Sequence, residues 1–226
     1  MQNLKVIFED NHIIVVEKPV NIPSQADKTG DIDMLTIIKA YLKEKYNKPG
    51  NVYLGLVHRL DRPVGGVMVF AKTSKSAGRL SNQVREKQFQ KTYLVIVNGK
   101  MENQKGTLQD YLLKNEKTNI SKVVKEGTKN SKLAILDYEV LKYDEELNLS
   151  VLKIKLHTGR HHQIRVQLSS RNHSIYGDGR GHGKQIALWA YNLKFYHPIT
   201  NELMEFKAMP EMIGSWAILK ENCSIS

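Results

Sequence analysis

The chain contains 226 residues, of which 41% are hydrophobic, so it is long enough to bury a sizeable core in one domain. Its single cysteine, Cys223, excludes an internal disulfide framework and a zinc site built on several cysteines. No apolar run approaches the roughly 20 residues of a membrane-spanning helix. Lysine and arginine number 34 against 23 aspartates and glutamates, a formal net charge of +11, which favours nucleic acid as a partner, with anionic membranes as the alternative.

The start of the chain predicts the compartment. Met1–Lys5 leads directly into a β-rich segment and lacks the apolar core of a signal peptide. We therefore expect a cytoplasmic protein that folds as one domain over residues 1–226, with a monomer as the default state.

The first elements predicted along the chain are a hairpin and a helix. β-rich runs at 6–8 and 13–16 flank a Glu-Asp-Asn turn signal, and Lys18-Pro19 ends the second run. Apolar residues recur at helical spacing from 33 to 47, with Asp33 as a candidate cap. Lysines occupy the remaining faces of this helix, where they are either solvated or contact nucleic acid.

Three strands and a second helix are predicted next. Tyr53–Val57 and Gly66–Lys72 have the composition of buried strands. Ser74 is a candidate cap for a helix that reaches about Lys87. Lys91–Gly99 then predicts a strand that opens on a tyrosine.

The second half of the chain predicts further strands after a polar excursion. Residues 100–132 are lysine-rich with few apolar anchors, which predicts a segment outside the core, either a solvated loop or hairpin or a contact for nucleic-acid backbone. Strand signals return as a pair at Leu133–Tyr143 and Leu147–His157, and again at Leu193–Tyr196 and Leu203–Lys207. Many strands with scattered helices and no regular alternation predict an α+β fold.

Asp61 is the first candidate for chemistry, because it lies in the turn His58–Gly66 between two predicted strands. Loops on a rigid scaffold commonly carry catalytic groups. Arg59 and Arg62 flank the carboxylate, and nearby cations favour the ionised form of a carboxylate. Taken alone, the same string also fits a turn-capping aspartate between two solvated arginines.

Two further strings, Lys91–Gly99 and Thr158–Arg165, follow this turn in order. Together the three resemble the signatures of the RluA-type RNA pseudouridine synthases, which read approximately HRLDxxTSG, KxYxAxVxG and TGRTHQIRVHL. The opening Ile7–Pro19 and the late Leu188–Pro198 extend the resemblance over nearly the whole chain.

The chain also departs from these signatures. Val64-Gly65 stands in place of Thr-Ser, His161 in place of Thr, and Trp189 where His is common. The aspartate, the tyrosine and the final arginine are all present.

The resemblance implies a fold and a reaction. It implies a pseudouridine synthase fold, a mixed and largely antiparallel sheet with a central catalytic cleft and flanking helices. It also implies isomerisation of uridine in RNA to pseudouridine, which consumes no cofactor. Because the resemblance starts within the first few residues, we expect no S4-type RNA-binding module before the catalytic domain.

The resemblance assigns three catalytic residues. Asp61 would be the ionised carboxylate that attacks the nucleotide or accepts a proton from it. Arg165 would be the permanent cation beside that carboxylate, and Tyr93 would form the wall of the uracil pocket. The uridine itself would have to be flipped out of its RNA.

A second set of residues is expected to bind the RNA or to support the loops that bind it. Arg59 would fill the space left by the flipped base or bind its phosphate. The set comprises His58, Arg59, Arg62, Arg160, His162 and Gln163. The histidines at 157, 161 and 162 lack an HExxH pattern and cysteine partners, so we expect no metal.

The leading prediction is an enzyme that isomerises specific uridines in ribosomal or transfer RNA. Two alternatives stay open. A catalytically inactive RNA-binding protein of the same fold would bind uridine-containing RNA and form no pseudouridine. An aspartate-nucleophile hydrolase of small molecules would turn over a free ester or halide, and its positive charge would be incidental.

Overall fold

The computed structural model describes residues 4–179 and 185–220. These residues form eleven strands, three α-helices and one 3₁₀ helix. The strands are β1 (Lys5–Glu9), β2 (Ile13–Lys18), β3 (Gly55–Leu56), β4 (Gly65–Ala71), β5 (Gln90–Asn98), β6 (Lys105–Asn115), β7 (Ile120–Val124), β8 (Lys132–Asp144), β9 (Leu149–Leu156), β10 (Leu188–Tyr196) and β11 (Leu203–Lys207). The helices are α1 (Met34–Lys45), α2 (Ser74–Arg85) and α3 (Gln163–Ser169), and the 3₁₀ helix is Gly214–Lys220.

The described residues group into two compact units. Unit 1 joins the chain up to Lys91 with Ala190–Pro210, and unit 2 joins Thr92–Trp189 with the residues from Glu211 onward. The single domain expected over residues 1–226 stays a prediction.

Unit 1 is built on the strands β1, β2, β4, β10 and β11, in that order. The pairs β1/β2, β2/β4 and β10/β11 are antiparallel. Ile13–Val16 of β2 and Val67–Ala71 of β4 are almost completely buried, and Leu80 of α2, Phe89 and Phe195 pack in the same core. The predicted hairpin at 6–8 and 13–16 is therefore confirmed as β1 and β2.

Both helices of unit 1 begin at a capping side chain. Asp33 caps α1 as predicted, and its carboxylate accepts a hydrogen bond from the Thr36 amide at 3.2 Å. The predicted Ser74 cap is wrong, since Thr73 caps α2 by accepting from the Ser76 amide at 3.2 Å. Thr73 has the extended backbone that a cap requires, whereas Ser74 is already helical.

The strand predicted at Tyr53–Val57 is largely wrong. Only Gly55 and Leu56 pair with β4, opposite Ala71 and Phe70, and Tyr53 is 49% exposed. The start of β4 is instead next to β10, where a Cβ on Gly66 would lie 2.2 Å from the Ala190 carbonyl oxygen. Gly66 also has a φ of 122°, so glycine satisfies both the backbone conformation and the close approach.

Unit 2 is built on the strands β5, β9, β8, β6 and β7, in that order. The pairs β8/β9, β6/β8 and β6/β7 are antiparallel, which confirms the strand pair predicted at 133–143 and 147–157. The segment 100–132 supplies the antiparallel pair β6 and β7, so the hairpin predicted as one of its forms is confirmed, but its predicted place outside the core is wrong. Leu108 and Leu112 are buried on one face of β6, and Asp110, which lies between them on the same face, interrupts the apolar pattern in the sequence.

These elements confirm the predicted α+β class with a mixed, largely antiparallel sheet. Over the described ranges, no helix combines the length and the apolar character that a membrane span needs. The central cleft stays a prediction.

Candidate active site

In unit 1, Asp61 lies on the loop between β3 and β4. The Val64 amide donates to the Asp61 carbonyl at 2.9 Å and closes a turn. The preceding residue is fixed by Ser24, whose hydroxyl donates to the Leu60 carbonyl at 2.8 Å and accepts from the Leu60 amide at 3.1 Å. Ser24 is buried, so the backbone before Asp61 is held from inside the unit.

A fully buried lysine holds the other side of this loop. The Lys18 ammonium donates to the carbonyls of Pro19, Arg62 and Val64 at 2.9, 3.0 and 2.7 Å. Burial lowers the pKa of Lys18 to about 7, while the negative charge of Asp61 acts in the opposite direction. Lys18 therefore joins the end of β2 to the Asp61 loop and is a cation close enough to interact with the carboxylate.

The two arginines beside Asp61 differ in their surroundings. Arg62 forms an exposed ion pair with Asp31, and it donates to the Thr29 hydroxyl at 3.1 Å. Arg59 is exposed, and within residues 4–179 and 185–220 its side chain makes no hydrogen bond or ion pair. This placement suits Arg59 to contact RNA.

His58 lies inside unit 1. Its Nε2 accepts from the Val69 amide at 3.2 Å, and its ring lies 5.2 Å from that of Phe89. Burial and the nearby charge of Lys91 lower the pKa of His58 to about 3, so the ring is neutral at physiological pH. This position favours support of the loop over a direct contact with RNA.

In unit 2, Tyr93 lies on β5. The residue is 7% exposed and precedes the fully buried run Leu94–Val97. A buried strand on one side gives the tyrosine ring a fixed position, as a pocket wall requires.

The loop before α3 is fixed by Gln163, which is 3% exposed. Its Oε1 accepts from the Thr158 hydroxyl at 2.8 Å and from the Arg160 amide at 3.0 Å, and its Nε2 donates to the Ile135 carbonyl at 3.1 Å. Gln163 therefore supports the loop. The guanidinium of Arg160 donates to the Leu133 carbonyl at 2.8 Å, so Arg160 too is tied to β8.

Two neighbouring histidines complete this loop. His162 has a left-handed backbone with a φ of 52° immediately before α3. Its ring stacks on that of His161 with 3.8 Å between the centroids. His161 stands where the signature has threonine. It is hydrogen-bonded to the Ser121 hydroxyl of β7 at 2.9 Å, so this histidine joins the loop to β7.

Arg165 of α3 is paired with a carboxylate that the sequence did not indicate. Its Nε and Nη2 donate to the two oxygens of Asp178 at 2.9 and 2.6 Å. The side chains are 26% and 19% exposed, so the pair is shielded from solvent.

Each unit thus gathers part of the predicted site. In unit 1 the loop of Asp61 carries His58, Arg59 and Arg62. In unit 2 the loop before α3 carries Arg160 and His162, and α3 itself carries Gln163 and Arg165. In the part of the chain that the structure describes, no three His, Cys, Asp or Glu side chains are grouped as metal ligands.

Comparison with known proteins identifies the family. The family model described as RNA pseudouridylate synthase matches residues 12–170, a range that contains Asp61, Tyr93 and Arg165. The chain belongs to this family. An RNA pseudouridine synthase of Bacillus subtilis is 32% identical over 210 residues, covering 91% of this chain and 68% of that protein. The ribosomal large subunit pseudouridine synthase C of Haemophilus influenzae is 29% identical over 217 residues, covering 90% of this chain and 64% of that protein.

Solved pseudouridine synthase structures have the same fold. Human RNA pseudouridylate synthase domain containing 4 aligns with a TM-score of 0.77 and 19% identity, covering 92% of this chain and 89% of that one. Human RNA pseudouridylate synthase domain containing 1 aligns with a TM-score of 0.73 and 21% identity, covering 95% and 86%. Family membership confirms the predicted enzyme class, an isomerase that acts on uridine in RNA.

Sequence reasoning about this pseudouridine synthase missed three residues. Lys18 and Ser24 hold the Asp61 loop, and Asp178 holds Arg165. A lysine at the end of a buried strand, just before a proline, was the available signal for Lys18. Ser24 and Asp178 are recognised only through their tertiary contacts.

Proposed function

We propose that this chain isomerises specific uridines in ribosomal or transfer RNA to pseudouridine. What carries the proposal is the family match over residues 12–170, which includes every residue assigned to catalysis. Ribosomal RNA as the substrate is supported by relatives named as ribosomal large subunit pseudouridine synthases, although this chain covers only 64% or less of those from Haemophilus influenzae and Neisseria meningitidis. The net charge of +11 suits a polyanionic substrate.

In this mechanism, Asp61 acts as an ionised carboxylate on a uridine that has been flipped out of the RNA. The carboxylate attacks the nucleotide or accepts a proton while the bond between ribose and N1 of uracil breaks. The freed uracil turns, and its C5 bonds to C1′ of the ribose as any bond from the carboxylate to the nucleotide breaks. The proton lost from C5 is balanced by one gained at N1. No atom is gained or lost, so no cofactor is consumed.

The other two catalytic residues act through charge and stacking. Arg165 compensates the charge of Asp61 with a guanidinium that cannot lose its proton under physiological conditions. Tyr93 stacks on the uracil through a ring held by buried neighbours in β5. Arg59 contacts the phosphate or the vacated base position, because it is exposed beside Asp61.

The decisive experiment is nucleoside mass analysis of RNA after incubation with the purified protein. Formation of pseudouridine supports the proposal, whereas RNA binding without product would favour the inactive RNA-binding protein. The small-molecule hydrolase loses its support, because its one feature, the aspartate, lies within the family match. Mapping pseudouridine in total RNA from cells with and without this gene would identify the target uridines.

Two further properties belong to the same proposal. A cytoplasmic location is expected for an enzyme that modifies ribosomal or transfer RNA. A monomer is expected as well, and the sedimentation coefficient of the purified chain would test it.

A further inference from the structure

We propose that Asp178 is the positioning residue for the Arg165 guanidinium in the reaction. This role rests on the proposed function, in which Arg165 serves the catalytic carboxylate. The pair is bidentate, from Nε and Nη2 of Arg165 to Oδ2 and Oδ1 of Asp178 at 2.9 and 2.6 Å. A bidentate pair fixes the plane and the rotation of the guanidinium together.

Asp178 binds one edge of the guanidinium. Arginine has five N–H groups, and Asp178 receives one from Nε and one from Nη2. The remaining three belong to Nη1 and to the second hydrogen of Nη2, and they point away from Asp178. That edge is the one that can serve a second carboxylate or an RNA oxygen.

Asp178 is itself positioned by the strand that carries Tyr93. Ile175 forms an isolated bridge with Val97 of β5, and the Tyr176 amide donates to the Ile96 carbonyl at 2.8 Å. The Asp178 amide then donates back to the Ile175 carbonyl at 3.0 Å. This segment therefore fixes Asp178 relative to β5, and Asp178 in turn orients the Arg165 guanidinium.

The residue before Asp178 has to be glycine. Gly177 has a φ of 77°, and a Cβ there would lie 2.4 Å from the Gln185 carbonyl oxygen. A larger residue would shift the turn that delivers Asp178. Gly177 therefore allows the turn that places the Asp178 carboxylate against Arg165.

Unit 2 contains a second pair that serves as a matched control. Arg171, just after α3, is bound by both oxygens of Asp110 at 2.9 and 3.1 Å, and Asp110 also accepts from Gln167 at 2.8 Å. This pair ties α3 to β6 and has no proposed part in the reaction. Loss of either carboxylate removes the same type of interaction.

The test compares D178N, D178E and D110N with the natural protein. In D178N the amide presents its own N–H groups to the guanidinium, so we expect kcat to fall by at least about tenfold while KM changes by less than about threefold. D178E, which keeps the charge, should recover part of the loss. D110N should lower the melting temperature and leave kcat within about twofold.

The pH profile separates a positioning role from a structural one. Removal of the Asp178 charge leaves Arg165 a less compensated cation, so the acid limb of kcat against pH should move to lower pH in D178N. D110N should leave that limb unchanged. If D178N does not fold, the comparison of D178E with D110N carries the same test.

Several outcomes would overturn the role of Asp178. Full kcat in D178N, a rise in KM alone, or an equal loss of kcat in D178N and D110N would each do so. A natural protein that forms no pseudouridine would instead remove the proposed function and this role with it. If the natural protein is active and D178N is fully active as well, only the role of Asp178 is overturned.

Discussion

Lys18 is the residue whose environment departs furthest from that of an ordinary surface lysine. Its side chain is completely buried, and the ammonium donates to the carbonyl oxygens of Arg62 and Val64 in the Asp61 loop and of the adjacent Pro19. A buried cation is costly unless hydrogen bonds and nearby negative charge compensate it. The three carbonyls and Asp61 supply that compensation, so the loop and the lysine stabilise each other.

This burial predicts a pH-dependent stability. Burial lowers the pKa of Lys18 from 10.5 to about 7, so between these values the unfolded chain binds a proton that the folded chain has lost. The Lys18 contribution to the free energy of unfolding should therefore rise with pH in this window, by up to about 1.4 kcal/mol per pH unit.

The variant Lys18→Met removes this slope, and it also leaves three carbonyls without their donor. Urea unfolding of both proteins between about pH 6 and about pH 9 measures the difference. Lys5→Met is the control, because Lys5 is 67% exposed and pairs with Glu17 at the surface. An identical pH slope in the natural protein and Lys18→Met would contradict the expectation.

Asp61 gives the second prediction at this scale. We expect Asp61→Asn to abolish pseudouridine formation and to keep RNA affinity within about tenfold, because an amide retains the shape but neither attacks nor accepts the proton. Nucleoside analysis and a binding titration measure the two effects. Asp31→Asn, which removes the partner of Arg62 on an exposed loop, is the control and should remain active. Product at the natural rate from Asp61→Asn would remove this residue from the mechanism.

At the scale of elements, the hairpin of β6 and β7 has buried leucines on β6 and exposed lysines. Leu108 and Leu112 are buried on one face of β6, while exposed lysines lie before β7, within it at Lys122 and in the segment after it. Within residues 4–179 and 185–220, the lysines at 117, 122, 125 and 129 have no ion-pair partner. Uncompensated lysines on one hairpin suit contact with phosphates.

We expect the replacement of Lys117 and Lys122 by glutamine to weaken RNA binding and to reduce its salt dependence. Each lost phosphate contact should lower the slope of log affinity against log salt by about 0.7 to 0.9. Lys5 and Lys105 replaced by glutamine form the control, since both pair with glutamates. An unchanged slope would place the hairpin outside the RNA interface.

The whole molecule is a strongly basic chain whose proposed catalytic residues, Asp61, Tyr93 and Arg165, are widely separated in the sequence. The net charge of +11 predicts RNA affinity that falls by more than about tenfold between about 50 and about 200 mM salt. A filter-binding titration over this range measures it. Bovine serum albumin is a suitable non-binding control, and salt-independent affinity would show that phosphate contacts do not dominate binding.

Much of the architecture was predictable because it depends on the order of apolar, polar and capping residues over short stretches of the sequence. The continuous apolar runs of β2 and β4, the Asp33 cap and the strand pair β8 and β9 all follow from side chains that are close in sequence. The predictions of the α2 cap and of a strand at 53–57 were wrong, because each outcome depends on a second residue or strand that can occupy the same position. Thr73 takes the cap from Ser74, and β10 takes part of the edge of β4.

The sequence by itself determined the family, the enzyme class and the candidate residues, because the chemistry requires an aspartate, a tyrosine and an arginine in recognisable strings. Only the tertiary structure revealed what holds them. Ser24 and Leu60 are 36 residues apart, Lys18 and Val64 are 46 apart, and Asp178 and Arg165 are 13 apart. Such partners share no local pattern with the residues that they position, since a hydrogen bond or ion pair depends on distance in space and not on separation along the chain.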